Sequence, residues 1–302
     1  MTDLVVRTLD ESSAQLFRTL PDPLALGERH RHTRYRPDWQ RVAVRDGRTV
    51  ARAAWWAGPE DPEPRLINWF DVAEGEEEAG AELLRTAPWR TAELELDLPA
   101  GWRDDPRLRA AADARAAAAR RAGYTPLVER FLYRWTPDRG LPERPGRLVF
   151  TPEPDDAVFY DLLRRVSTAT LDAHARRAIA EGGVDQAAQE DLDFFRWLPS
   201  PRDWWQLALT PAGEPVGIHI PARNPSGPCV GFIGVVPEHR GHGYAYDLLA
   251  ECTHFLAGQG AEFIAAATDQ GNVPMAAHFT TAGYPVVRER VTYWADGGPG
   301  AG

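Results

Sequence analysis

Val235-Val236-Pro237-Glu238-His239-Arg240-Gly241-His242-Gly243-Tyr244-Ala245 joins the end of an apolar strand to the start of a helix through a glycine-rich turn. Upstream, Cys229 to Val236 is apolar enough for a buried strand, and Pro237 stops it. Downstream, Leu248, Leu249, Cys252, Phe255 and Leu256 fall at helical spacing between Tyr246 and Ala257. The turn therefore opens a helix N-terminus, where N–H groups without intrahelical partners and the helix dipole favour an anion. Gly241 and Gly243 let a ligand approach the backbone closely, and Arg240 adds a charge-assisted contact. Arg240, Gly241, His242, Gly243, Tyr244 and Ala245 thus read as a pyrophosphate cradle. On glycine spacing alone, an ordinary strand-to-helix joint fits equally well.

Two other phosphate-binding turns fail on spacing. A dinucleotide fingerprint requires G-x-G-x-x-G, whereas Gly241-His242-Gly243 is followed by Tyr244, Ala245 and Tyr246, so the third glycine is missing. A Walker loop requires Gly-Lys-Ser or Gly-Lys-Thr, and the sequence has neither.

The segment resembles the GNAT superfamily of acyl-CoA-dependent N-acetyltransferases. The family signature, Gln or Arg, two free positions, Gly, one free position, then Gly or Ala, is met by Arg240, Gly243 and Ala245. Beyond it come an apolar strand at Phe263 to Thr268, Asp269-Gln270-Gly271-Asn272, a helix through Ala276, Ala277 and Phe279, and Ala282-Gly283-Tyr284, in the family's order. The resemblance implies acetyl-CoA as cosubstrate, with backbone groups at Val235 and Val236 meeting the pantetheine arm and the thioester carbonyl, and Asn272 hydrogen-bonding the arm. Asn272 equally suits a helix N-cap, and one side chain can serve both. Many family members carry a proton-donating Tyr seven residues after the Asn; here that position is Phe279. Tyr246, His278 and Tyr284 are the polar neighbours in sequence.

Length and composition bound the rest. A chain of 302 residues at 43% hydrophobic supports two domains, each with its own core. No apolar run approaches the roughly 18 residues a membrane helix needs, and Met1 to Asp10 lacks a signal pattern, so a cytoplasmic protein is expected. Cys229 and Cys252 form neither a metal nor a disulfide pattern, and no metal site is expected. The net charge of -10 disfavours nucleic acid; it suits an amine substrate and suits plain solubility better.

Ala122-Gly123-Tyr124, Glu129-Arg130 and Tyr133 recur as Ala282-Gly283-Tyr284, Glu289-Arg290 and Tyr293, each displaced by 160 residues. A period of that length indicates duplicated domains. Matching strand orders in both halves predict an α/β protein with mixed sheets and two tandem GNAT-like domains, similar to tandem GNAT proteins of the mycothiol synthase type. The expected divisions are 1–136, a degenerate N-terminal domain; 137–146, a Pro- and Gly-rich linker; 147–295, the C-terminal domain holding the acetyl-CoA site; and 296–302, a disordered tail. In the first half the turn after Ile67 to Val72 reads Glu74-Gly75-Glu76-Glu77-Glu78, whose carboxylates repel a pyrophosphate. That domain is left to packing, a homodimer contact or one wall of a substrate pocket.

Transfer to an amine needs a base, and two candidates stand near the presumed site. His219, in the strand Val216 to Ile220, has an imidazole suited to the role; such a histidine is more often structural. Asp269 closes the last strand before Asn272 and doubles as a turn residue. Residues Asp155 to Gly182 and Gln186 to Trp197 supply Tyr160, His174, Asp185, Glu190, Asp191, Asp193, Phe194, Phe195 and Trp197, an acidic and aromatic set that fits an amine and, for most of its members, fits a plain amphipathic helix with a solvated acidic face better. The expected activity is acetyl transfer from acetyl-CoA to a small primary amine by direct attack. A non-catalytic acyl-CoA sensor, a longer acyl donor and a hydroxyl acceptor are the alternatives.

Overall fold

The computed structural model describes residues 3–295 apart from positions 32, 34, 59 and 60; the tail expected at 296–302 lies outside the described residues. The chain divides into two compact units, residues 1–129 with 288–302, and residues 130–287. The sheet strands are β1 (Leu4–Thr8), β2 (Gln40–Arg45), β3 (Arg48–Trp56), β4 (Leu66–Val72), β5 (Glu93–Pro99), β6 (Tyr124–Trp135), β7 (Val149–Pro152), β8 (Gln206–Leu209), β9 (Pro215–Asn224), β10 (Gly227–Val235), β11 (Ile264–Asp269) and β12 (Val286–Ala295). The helices are α1 (Leu26–Arg29), α2 (Glu77–Arg85), α3 (Pro106–Arg121), α4 (Asp156–Ser167), α5 (Ala173–Trp197), α6 (Tyr244–Gly258) and α7 (Val273–Thr281). Among the described residues no helix is long and apolar enough to cross a membrane.

The first unit has the strand order β1-β2-β3-β4-β5-β12, antiparallel except for β4 with β5. The alternation of apolar residues gives it a core around Trp55, Ile67, Phe70 and Leu94. Its helix α3 starts where Pro106 follows Asp105, whose carboxylate accepts the N–H groups of Arg107 and Leu108 at 2.8 and 3.2 Å. Small side chains at Ala112, Ala116, Ala118 and Ala119 bring it close onto the sheet.

The second unit has the order β6-β11-β10-β9-β8-β7, with β10 parallel to β11 and the other pairs antiparallel. One face packs on α4 and α5 through Phe159, Leu163, Leu192 and Phe195; α6 and α7 contribute Leu249, Cys252, Leu256 and Phe279 to a separate core with Tyr133 and Trp135. Trp205 is fully buried between Phe159 and Phe195, so truncating it costs roughly 3–5 kcal/mol. A straight helix would hold residues 172 and 191 about 28 Å apart. Gly183, at φ 84°, breaks α5, and Asp172 consequently lies close enough to Asp191 to perturb it electrostatically.

Each repeat ends in a strand that completes the other unit. From Arg130 onward β6 belongs to the second unit and pairs with β11, Tyr133 opposite Ala266. From Arg288 onward β12 belongs to the first and pairs with β5, Val291 opposite Leu96. Boundaries at 136 and 147 do not include this exchange. The two closing strands carry the same residue pattern, so their sequences do not distinguish which antiparallel edge each takes. The Pro-rich segment between them docks in the second unit: Trp135 donates to the Gly140 carbonyl at 2.9 Å, and His254 Nε2 lies 2.8 Å from the Pro142 carbonyl.

Candidate active site

Strands β10 and β11 pair only at Cys229 and Ala265, close to their starts, and then diverge; β10 also bulges between Val230 and Phe232. A parallel pair that separates leaves β10 with N–H and C=O groups facing a gap. The Val236 N–H donates to the Val216 carbonyl of β9 at 2.9 Å, which removes it from the set of groups free to meet a ligand. Successive N–H groups of a strand point opposite ways, so that of Val235 faces the gap.

The cradle follows at once. Gly241 and Gly243 adopt φ of 81° and 74°, a region that side chains avoid, and Gly243 is the N-cap of α6. Tyr246 donates back to the Gly243 carbonyl at 3.1 Å, whereas the N–H groups of Gly241, His242, Gly243, Tyr244 and Ala245 have no carbonyl partner among the described residues. Five such groups at the N-terminus of a 15-residue helix make an anion-binding surface.

Arg240 takes a different part from the one its charge suggested. Its guanidinium donates to the Val235 carbonyl at 3.1 Å and to the carbonyls of Val166, Thr168 and Ala169 at 2.6, 3.0 and 3.3 Å. These are acceptors exposed where α4 ends, so Arg240 ties that helix end to the turn rather than reaching out to a phosphate. Arg147, which the sequence did not single out, stands closer to the cradle. It donates to the His242 carbonyl at 2.9 Å and the Gly243 carbonyl at 3.3 Å, lies 5.0 Å from the Tyr244 ring centre, and pairs with Asp247. By holding those carbonyls it leaves the N–H side of the turn facing outward, and it neutralises a buried carboxylate beside the anion surface.

Asn272 caps α7, its Oδ1 accepting the Met275 N–H at 3.3 Å. The side-chain amide NH2 remains as a donor. Seven residues on, Phe279 is buried, stacked on Tyr133 at 4.4 Å with planes 19° apart and edge-on to Tyr284 at 5.4 Å. Tyr284 shares a 2.8 Å hydrogen bond with the Thr253 hydroxyl, and burial raises its pKa far above the usual tyrosine range. Tyr246 and His278 lie 6.0 Å apart on α6 and α7.

Neither expected base is free to act. His219 is 0% exposed, with its ring 3.1 Å from Gln206 Oε1 and edge-on to Phe150 at 5.2 Å. Burial depresses its pKa to about 3, and no amine can reach it; the strand Val216 to Ile220 lies inside the fold rather than along its rim. Asp269 is at the right end of β11 but is 4% exposed, with one oxygen 2.7 Å from Arg130 Nε and the other accepting the Ala173 N–H at 2.7 Å. It anchors the start of α5. Arg130 also binds Asp172 at 2.6 Å, and Asp172 caps α5 through the Ala175 N–H. Beyond that network stands Asp191, half-buried on α5. Burial, and then the negative charges of Asp172 and Glu190, push its pKa up to about 6. The periodicity of α5 made Asp191 indistinguishable from its solvated neighbours; only the reversal at Gly183 brings it to Asp172.

The equivalent turn of the first unit is built otherwise. Glu76, Glu77 and Glu78 open α2 and pair with Arg45, Arg121 and Arg85. Strands β4 and β5 also part early, after Ile67 and Leu94, but there Arg115 donates to the Phe70 carbonyl at 2.9 Å and pairs with Asp71, which is held from the other side by Arg52. A guanidinium thus fills the place that stays open between β10 and β11.

Residues 171–284 match the acetyltransferase (GNAT) family. Among curated proteins none matches this sequence. Among solved structures, the GCN5-related N-acetyltransferase from Sphaerobacter thermophilus is similar over 96% of this chain and 94% of its own, with 16% identity and a TM-score of 0.53. The GCN5-related glucosamine N-acetyltransferase region of a fungal multi-domain GH3 β-N-acetylglucosaminidase is similar over 97% of this chain and 38% of that one, with 12% identity and a TM-score of 0.55. At such identities the likeness is one of fold, and in both cases it extends over nearly the whole of this chain.

Proposed function

We propose that this chain, a tandem GNAT-type acyltransferase with its GNAT acetyltransferase domain at residues 171–284, moves an acetyl group from acetyl-CoA to a small primary amine. Acyl transfer from an acyl-CoA follows from the family; the acetyl donor, the amine acceptor and the residue roles are our reading. The observation that carries it is the row of unpartnered N–H groups from Gly241 to Ala245 beside the gap between β10 and β11. In this reading the row binds the pyrophosphate, the Asn272 amide and the free edge of β10 hold the pantetheine arm, and the Val235 N–H polarises the thioester carbonyl. Positioning of the two reactants then supplies much of the rate.

Asp191 is the group we assign to the amine. A carboxylate with a pKa of about 6 is ionised at neutral pH and can accept the proton that an ammonium gives up before its nitrogen, then a free amine, attacks; Asp172 and Glu190 add negative charge that attracts a cation. The test of the cofactor assignment is calorimetric titration with acetyl-CoA; a folded sample that releases no heat and shows no competition by CoA contradicts it. A panel of primary amines and alcohols, followed by free thiol release, then identifies the acceptor class.

A further inference from the structure

Phe279 leaves the acyltransferase without a hydroxyl where the family resemblance implies one, and the ring lying flat against Phe279 carries a hydroxyl of its own. Tyr133 is 3% exposed, and its ring centre is 4.4 Å from that of Phe279. It comes from β6, opposite Ala266 of β11, and the run Ala265-Ala266-Ala267 keeps β11 free of bulk next to its gap with β10. No described residue hydrogen-bonds the Tyr133 hydroxyl, and that oxygen is not among the fully enclosed unpartnered side-chain atoms, so it keeps some contact with solvent. A buried ring whose hydroxyl has no protein partner keeps that O–H available as a donor to a ligand atom. Tyr284 cannot take the part, since Thr253 holds its hydroxyl. Burial lifts the Tyr133 hydroxyl to a pKa of about 12, and it therefore carries its proton throughout the neutral range.

We propose that Tyr133, delivered into the second unit by the strand exchange, donates the proton that the departing CoA sulfur requires, in place of the residue at 279. The inference rests on the acyl-CoA reading above. As the amine nitrogen bonds to the thioester carbon and the carbon–sulfur bond breaks, the electron pair goes to sulfur, which takes the proton from the Tyr133 oxygen. The phenolate is reprotonated from solvent, and the proton released by the amine leaves through Asp191 or water. Products are the amide and CoA with its thiol.

The experiment is a cycle between one side-chain atom and one ligand atom. CoA and desulfo-CoA are titrated into the wild-type chain, Tyr133→Phe, and Tyr133→Phe with Phe279→Tyr, at pH 9, where a thiol of ordinary pKa near 8.5 is mostly thiolate. Wild type is expected to bind CoA about tenfold tighter than desulfo-CoA, as a hydrogen bond to a charged acceptor gives. That preference is expected to disappear in Tyr133→Phe and to return in the double variant. Desulfo-CoA affinity, insensitive to the missing hydroxyl, reports that the variants remain folded. A preference for CoA that survives in Tyr133→Phe, or its absence in wild type, overturns the proposal. Failure of wild type to bind either ligand instead overturns the acyl-CoA reading itself.

Discussion

At the scale of single residues, the acid–base chemistry we propose depends on which carboxylates are already engaged. Asp269 is held by Arg130 and the Ala173 N–H, whereas Asp191 is held at about 6 by burial and like charge. A base works when deprotonated, so the thiol-release rate with an amine acceptor should climb as pH rises through about 6 and then level off. Asp191→Asn should remove that ascending limb and lower the plateau roughly 100-fold with little change in acetyl-CoA affinity. An unaltered pH profile in the variant would show that Asp191 is only a helix-surface residue. The sign for stability is opposite: the folded state binds this proton more tightly than the unfolded chain, so ionising Asp191 between pH 4 and 6 costs stability. His219 and Asp269 were visible in the sequence as candidate bases because residue type and position relative to the turn are local. Their burial and partners depend on Gln206, Arg130 and Ala173, distant in sequence, and no spacing rule carries that information.

At the scale of elements, the strand–turn–helix unit around Gly241 and Gly243 was legible in full, because a proline stop, two glycines and a helical apolar period are local signals. What holds the turn was not. Arg240 reaches back to the end of α4 and Arg147 forward from the residues before β7, contacts that span 71 to 100 residues of sequence. Arg147→Ala should weaken acetyl-CoA binding about tenfold or more, by releasing the His242 and Gly243 carbonyls and leaving Asp247 as a buried, uncompensated charge beside the phosphates. Adding Asp247→Asn should restore part of the affinity, measurable by calorimetry; no recovery would mean that the carbonyl contacts alone matter. Arg240→Ala should act mainly on stability, by roughly 2 kcal/mol in denaturant unfolding, because its partners are carbonyls of the protein itself.

At the scale of the whole molecule, the duplication was readable from the repeat at a displacement of 160, and the strands read at Cys229 to Val236 and Phe263 to Thr268 lie close to β10 and β11 as observed. The exchange of β6 and β12 was not, since two strands with one pattern are interchangeable in any reading of pattern alone. It has a physical consequence for fragments. Residues 1–136 lack β12, which leaves the β5 edge with its apolar Leu94, Leu96 and Leu98 unpaired, and residues 147–295 lack β6 beside β11. Neither fragment should give a soluble, cooperatively unfolding monomer alone, and mixing them during refolding should recover one; an independently folded 1–136 would contradict the exchange. The functional asymmetry lies at the same scale. Both units have an opening between parallel strands, but one is lined by free N–H groups and the other by Arg115, Asp71 and a glutamate-rich turn. Calorimetric titration of acetyl-CoA into the wild-type chain and into Gly243→Glu tests this most directly. We predict one site per chain in the wild type and none in the variant, whose carboxylate would occupy the cradle; two sites, or unchanged binding in Gly243→Glu, would contradict it.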